Sequence, residues 1–140
     1  EDQAIGRSKG GLSTKIHALV DALGNPLMFL LSPGRAYDLL DADAFLPTLA
    51  ADTLIADKVF DADARVLDRL AAANKGAVIP CKRHRTRPRP LDRELYKARH
   101  LIENFFCRLK QFRAIATRYD KLARNFLAAI PLAACCIWLN

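Results

Sequence analysis

The sequence has few aromatic residues, one methionine and no apolar run long enough to cross a bilayer. Aromatics make up 8% of the 140 residues. The longest apolar stretch, 126–139, has 14 residues, whereas a transmembrane helix needs roughly 20. We therefore expect a core helix there and no membrane partner. Apolar residues at 51% and charged residues at 26% exclude a wholly disordered chain and fit one globular domain.

Cysteines are too few and too poorly spaced for a disulfide framework. There are four, at positions 81, 107, 135 and 136, and the last two are adjacent in an apolar run. We expect buried free thiols and a reducing compartment. Cys81 and His84 resemble half of a zinc site, but no second pair has suitable spacing, and a structural zinc needs four ligands.

Acidic residues are scarce in the second half of the chain. Residues 1–75 carry 8 basic and 11 acidic side chains, whereas residues 76–140 carry 14 basic and 4 acidic ones. The two halves therefore have formal balances of −3 and +10. A polyanion partner is expected to contact the second half.

The first half predicts a hairpin followed by a strand–helix–strand unit. Residues 1–14 are polar and glycine-rich, which predicts a flexible leader, and two apolar runs between 15 and 31 flank a Gly-Asn-Pro turn. A helix over 38–51, a buried strand over 53–56, a helix over 61–74 and a strand over 77–80 follow. Short links between such elements are typical of parallel βαβ units.

A basic loop, residues 81–90, separates this half from the C-terminal helices. It contains two prolines and five basic residues, which exclude a helix or a central strand: Lys82, Arg83, Arg85, Arg87 and Arg89. The loop is either a solvated linker or a phosphate-binding segment. Helices are predicted over 92–111 and 121–139, and Pro131 should kink or split the second helix.

The glycine-rich segment 6–11 is not a phosphate loop. Leu12 and Ser13 follow its last glycine, where that motif needs Lys and then Ser or Thr. A flexible basic segment remains, in which Arg7 and Lys9 could touch a phosphate backbone.

Asp57 and the first C-terminal helix carry the strongest functional pattern. Asp57 follows a buried strand, and ligands collect at the carboxyl ends of strands in α/β sheets. Successive residues of an α-helix lie about 100° apart around its axis. On one helix, an arc of about 60° would therefore contain four polar residues: Tyr96, Arg99, Glu103 and Lys110. An acid flanked by two cations and a tyrosine is more specific than a solvated charged face.

This spacing, Tyr-x2-Arg-x3-Glu-x6-Lys, resembles the signature of bacterial insertion-sequence DDE transposases. Further similar segments are 6–11, 15–18, 22–27, 54–58 and 117–126. The resemblance implies an α/β, ribonuclease-H-like fold, in which helices flank a mixed sheet. We expect residues 1–140 to be the C-terminal part of the catalytic domain, with the C-terminal helices at 91–140.

The resemblance also implies which residues form the active site. The family holds two divalent ions, Mg²⁺ or Mn²⁺, with two Asp and one Glu. Asp57 would be the second Asp and Glu103 the Glu, while Tyr96, Arg99 and Lys110 would hold DNA near the scissile phosphate. Two such ions about 4 Å apart activate a nucleophile and stabilise the leaving oxygen.

The first catalytic Asp would lie on a central strand that this chain is expected to lack. The chain is therefore expected to be an incomplete, inactive transposase that acts in the bacterial cytoplasm at the nucleoid. Its partners would be DNA, a second copy when complete, and an upstream polypeptide. A DNA-binding module without catalysis, or a decayed remnant, is the alternative, and a nuclease of the same fold is a third reading.

Overall fold

The computed structural model describes residues 2–140 and shows a mixed α/β chain. The strands are β1 (Gly6–Ser8), β2 (Gly11–Val20), β3 (Pro26–Pro33), β4 (Thr53–Ile55) and β5 (Gly76–Val78). The α-helices are α1 (Leu39–Phe45), α2 (Asp68–Ala72), α3 (Arg93–Tyr96), α4 (His100–Leu109), α5 (Arg113–Ala116) and α6 (Ala123–Leu139). Short 3₁₀ helices cover Leu46–Thr48, Lys58–Phe60 and Lys97–Arg99, and a π-helix covers Asp63–Leu67.

The chain forms two compact units. The first contains the residues up to Ala36 together with His100–Asn140, and the second contains Tyr37–Arg99. No helix within residues 2–140 has both the length and the apolar content of a membrane span.

An antiparallel sheet in the order β1-β2-β3 forms one side of the first unit. The β2–β3 hairpin turns where the carboxylate of Asp21 accepts hydrogen bonds from the backbone N–H groups of Leu23 and Asn25, at 2.8 and 2.9 Å. Gly24 has a φ of 85°, a conformation that side chains disfavour. The predicted hairpin is confirmed.

Helices α4 and α6 build the core of the first unit against β2 and β3. The buried residues are Phe105, Leu109, Ile115, Phe126, Ile130, Ala133 and Ala134. The apolar face predicted for the first C-terminal helix is therefore inside. Helix α6 was expected to be a core helix, but its other side carries exposed apolar residues, including Leu132 and Trp138.

The second unit is built around a parallel β4–β5 pair, in which Thr53 aligns with Gly76 and Ile55 with Val78. Its core contains Leu39, Ala42, Val66, Leu70 and Ile79. The predicted strand–helix–strand order is confirmed. Because the described residues form separate sheets, β1-β2-β3 and β4-β5, the single ribonuclease-H-like sheet remains a prediction.

The expected flexible leader contains strand structure. Strand β1 pairs with β2 from Gly6 opposite Ser13 to Ser8 opposite Gly11. Arg118 binds the residues before β1, because its guanidinium donates hydrogen bonds to the carbonyl oxygens of Gln3 and Ala4. These long-range contacts, rather than local apolar alternation, order the segment.

The predictions for the first C-terminal helix and for the thiols need correction, and one of the two alternatives for Pro131 is excluded. The helix expected over 92–111 is interrupted by the 3₁₀ turn at 97–99, so one continuous helical wheel does not apply. Pro131 does not split α6, which runs through it, and the alternative, a kink at Pro131, stays a prediction. All four cysteines are free within the described part of the chain, but Cys107, Cys135 and Cys136 are exposed rather than buried.

Candidate active site and nucleic-acid interface

Asp57 lies two residues after the end of β4, a strand whose last two residues are partly buried. The Ala56 N–H still donates to the Val78 carbonyl, at 3.3 Å, and Asp57 then begins the 3₁₀ turn with extended backbone, φ −70° and ψ 159°. Its side chain is 43% exposed, and its Oδ2 accepts a hydrogen bond from Arg99 Nη2 at 3.1 Å. An accessible carboxylate and a guanidinium thus lie together at the carboxyl end of β4.

Tyr96 and Arg99 belong to the same unit as Asp57. Asp92 caps the helix that carries Tyr96, since its Oδ1 accepts a hydrogen bond from the Leu95 N–H at 2.9 Å. The following turn is 3₁₀, in which residues three apart lie one above the other. Tyr96 is the last residue of α3 and Arg99 the last residue of this turn, so the shared side of the two residues stays a prediction.

Glu103 and Lys110 belong to the other unit, on or just after α4. Both are exposed, while Phe105 and Leu109 bury the opposite side of the helix. The Lys110 N–H still donates to the Phe106 carbonyl, at 3.0 Å, so the helical repeat extends to it. Seven residues make about two turns, which leaves Glu103 and Lys110 on one solvent-facing side.

The basic loop, residues 81–90, is irregular as expected, but its cations differ in exposure. Arg83 and Arg87 are exposed, while Lys82 is partly buried. Arg85 and Arg89 form ion pairs with Asp61, at 2.6 and 2.9 Å. The loop is therefore not a wholly solvated linker.

Asp61 is a residue that the sequence analysis missed, since it was assigned only to the start of a helix. Its side chain is 1% exposed. Burial opposes its ionisation, but hydrogen bonds from the Lys82 N–H and from Arg89 and Arg85 outweigh burial and lower the pKa of Asp61 below its ordinary 3.8. Its partners lie 21 to 28 residues away, so no local pattern could have revealed it.

Arg7 and Lys9 lie at the first hairpin, Arg7 on β1 and Lys9 in the turn after it. Both side chains are exposed. They are thus accessible cations on an ordered hairpin rather than on a flexible leader.

Comparison with known proteins decides the family. Residues 2–139 match the family model described as "Transposase DDE domain". The chain belongs to this transposase family. It is 40% identical over 132 residues to a Brucella ovis protein named putative transposase for insertion sequence element IS6501, a match that covers 92% of this chain and all of that protein. No solved structure matches the chain.

The resemblance to insertion-sequence DDE transposases is therefore confirmed. Transposases act on DNA, and DDE transposases generally use divalent metal ions. Asp57 and Glu103 offer carboxylate oxygens, which are the hard ligands that Mg²⁺ and Mn²⁺ prefer. Their chemistry fits, although residues 2–140 contain no group of three or more His, Cys, Asp or Glu that could hold a metal.

Proposed function

We propose that this chain supplies part of the active site of an insertion-sequence transposase, which cuts and joins DNA ends with divalent metal ions. The observation that carries the proposal is the Asp57–Arg99 pair, at 3.1 Å, at the end of a parallel strand. A carboxylate there can bind a metal ion, and a guanidinium can bind phosphate through two parallel, bidentate hydrogen bonds. One strand end thus presents ligands for both components of the reaction.

The proposed roles follow the transposase signature. Asp57 and Glu103 would hold the metal ions, which supply activation of a water or 3′-hydroxyl and stabilisation of the leaving oxygen. Tyr96, Arg99 and Lys110 would bind DNA near the scissile phosphate. Arg99 balances the Asp57 charge in the DNA-free chain, and an arriving phosphate offers it a second anionic partner.

We propose that the 140-residue chain does not transfer strands by itself, since the family uses three carboxylates and the signature assigns two of them. A second copy of the chain is its proposed protein partner. Incubation of the purified chain with insertion-sequence ends and Mg²⁺ or Mn²⁺ should give no joined product. Joined product that requires Glu103, and disappears in Glu103→Gln, would contradict this proposal and confirm catalysis by the chain.

A DNA-binding module without catalysis is the second candidate. The +10 balance of residues 76–140 and the exposed Arg83 and Arg87 support it. In a complete, cleaving assembly, Glu103→Gln separates the two candidates: for a catalytic chain it abolishes cleavage and leaves DNA binding nearly unchanged. For a binding module it changes neither.

Both candidates predict steeply salt-dependent DNA binding. A protein with about six to ten phosphate contacts loses roughly 10³–10⁵ in affinity between about 50 and 200 mM salt, because bound counterions are released. We expect a loss of at least about 10³ for this chain in a gel shift. Affinity that barely changes with salt would contradict both candidates.

A further inference from the structure

Asp61 lies at the centre of a hydrogen-bond network that ties the basic loop to the second unit. It directly follows the 3₁₀ turn that begins at Asp57. Among the described residues, Asp61 and Ser32 are the buried polar ones, so Asp61 is the buried ionisable side chain in this part of the chain. A buried carboxylate is costly unless charged donors surround it, and the basic loop supplies the Asp61 carboxylate with three hydrogen-bond donors.

The donors reach both carboxylate oxygens. Oδ2 accepts the Lys82 N–H at 2.7 Å, and Oδ1 accepts Arg85 Nη1 at 2.6 Å and Arg89 Nη2 at 2.9 Å. Arg85 also pairs with Asp63 through its other terminal nitrogen. Arg89 Nη2 lies 3.3 Å from the Ile79 carbonyl oxygen as well.

Cys81, the first residue of the basic loop, is hydrogen-bonded to the backbone of Arg89 near its end. Its Sγ accepts the Arg89 N–H at 3.2 Å and donates to the Arg89 carbonyl at 3.7 Å. The loop is thus anchored at its first residues, in its middle and near its end. Arg83 and Arg87 alternate with the anchored Arg85 and Arg89 along the loop, and both are exposed.

We propose that Asp61 positions the basic loop for DNA by holding Arg85 and Arg89 in ion pairs, so that Lys82, Arg83 and Arg87 contact the phosphate backbone. The DNA part of this inference rests on the proposed function. The anchoring part concerns the free chain alone. Two of the five basic side chains in the loop thereby serve its conformation, and three serve binding.

Arginine labelling with phenylglyoxal, read out residue by residue by mass spectrometry, tests both parts on the wild-type chain. In the free chain, Arg83 and Arg87 should react about tenfold or more faster than Arg85 and Arg89, because a charge-assisted hydrogen bond must be broken to expose a held guanidinium. Addition of duplex DNA should then protect Arg83 and Arg87 and leave Arg85 and Arg89 unchanged.

The outcomes separate the two parts. Equal labelling of all four arginines in the free chain would overturn the role of Asp61, whatever DNA does. Unequal labelling with no protection of Arg83 and Arg87 by DNA would overturn the DNA part of this inference. A gel shift with the same DNA then shows whether the chain still binds DNA through other residues, so that failure of the inference and failure of the proposed DNA binding are distinguished. Protection of Arg85 or Arg89 by DNA would show that they are contacts and would overturn the division of roles.

Two variants sharpen the test. Asp61→Asn keeps the shape but removes the charge, and it should raise the labelling of Arg85 and Arg89 to that of Arg83, whereas the exposed Asp68→Asn should not. Arg83→Ala and Arg87→Ala should each flatten the slope of log affinity against log salt by about 0.9, the value for one phosphate contact. An unchanged slope in both arginine variants would contradict the proposal. This slope can be measured even if Asp61→Asn does not fold.

Discussion

Two aspartates four positions apart show how environment divides roles among identical side chains. Asp57 is 43% exposed and contacts one guanidinium, whereas the Asp61 side chain is 1% exposed and accepts three donors from the basic loop. A metal ion needs accessible lone pairs, which the first residue offers and the second has already committed. Asp57 is therefore the ligand candidate and Asp61 the anchor.

Residue-scale prediction from sequence was successful only where neighbours in the chain carry the signal. The position of Asp57 after a strand was readable from the apolar run before it, although this strand is only partly buried. The pairing of Asp61 with Arg85 and Arg89 was not, because it closes a loop of more than 20 residues. The sequence could show an excess of cations in that loop, but not which of them the fold uses.

The lowered pKa of Asp61 predicts acid sensitivity. The pKa of Asp61 is lower in the folded than in the unfolded chain, so its carboxylate stabilises the fold at pH values above its pKa in the unfolded chain. This contribution is lost as the pH falls through the pKa of the folded chain. Urea midpoints of the wild type should therefore fall between about pH 7 and pH 3 by more than those of Asp61→Asn. Equal falls would show that Asp61 is not part of the acid response.

At the scale of elements, apolar runs and turn residues predicted the hairpin and the parallel strand pair. They did not predict β1, whose three residues are mostly exposed and whose order depends on pairing with β2 and on Arg118. The prediction of one continuous helix over 92–111 was also too simple. Its 3₁₀ interruption at Lys97–Arg99 follows from no proline or glycine, so composition contained no warning.

The β2–β3 hairpin gives an element-scale prediction at its glycine. Gly24 has a φ of 85°, and an added Cβ would lie 3.4 Å from Leu101 Cβ. Because the left-handed conformation costs a side chain about 1–2 kcal/mol, Gly24→Ala should lower the free energy of unfolding by roughly that amount. Chemical denaturation measures it.

Gly10→Ala is the matched control in the preceding turn. A Cβ there would meet only Ser8 Oγ, at 3.9 Å, an ordinary contact. Its free energy of unfolding should change by less than about 0.5 kcal/mol. If both variants lost stability equally, strain at Gly24 would not be the cause.

At the scale of the whole molecule, the formal charge of +7 overstates what DNA can meet. Part of the basic half is used internally, since Arg85 and Arg89 neutralise Asp61 and Arg99 pairs with Asp57. The exposed cations that remain are distributed over both units, with Arg7, Lys9 and Lys110 in the first and Arg83 and Arg87 in the second. The transposase family implies DNA as the substrate. Cations that are not held in ion pairs are the ones available to bind it.

Binding of Mn²⁺ to the DNA-bound chain tests the central claim, that Asp57 is a metal ligand of a transposase. Paramagnetic resonance can count the bound ion in the wild type, in Asp57→Asn and in the control Asp68→Asn. We predict that Asp57→Asn weakens Mn²⁺ binding at least about tenfold, since even loss of an outer-shell partner costs roughly 10–100-fold, and that Asp68→Asn leaves it unchanged. Wild-type Mn²⁺ affinity in Asp57→Asn would contradict the account.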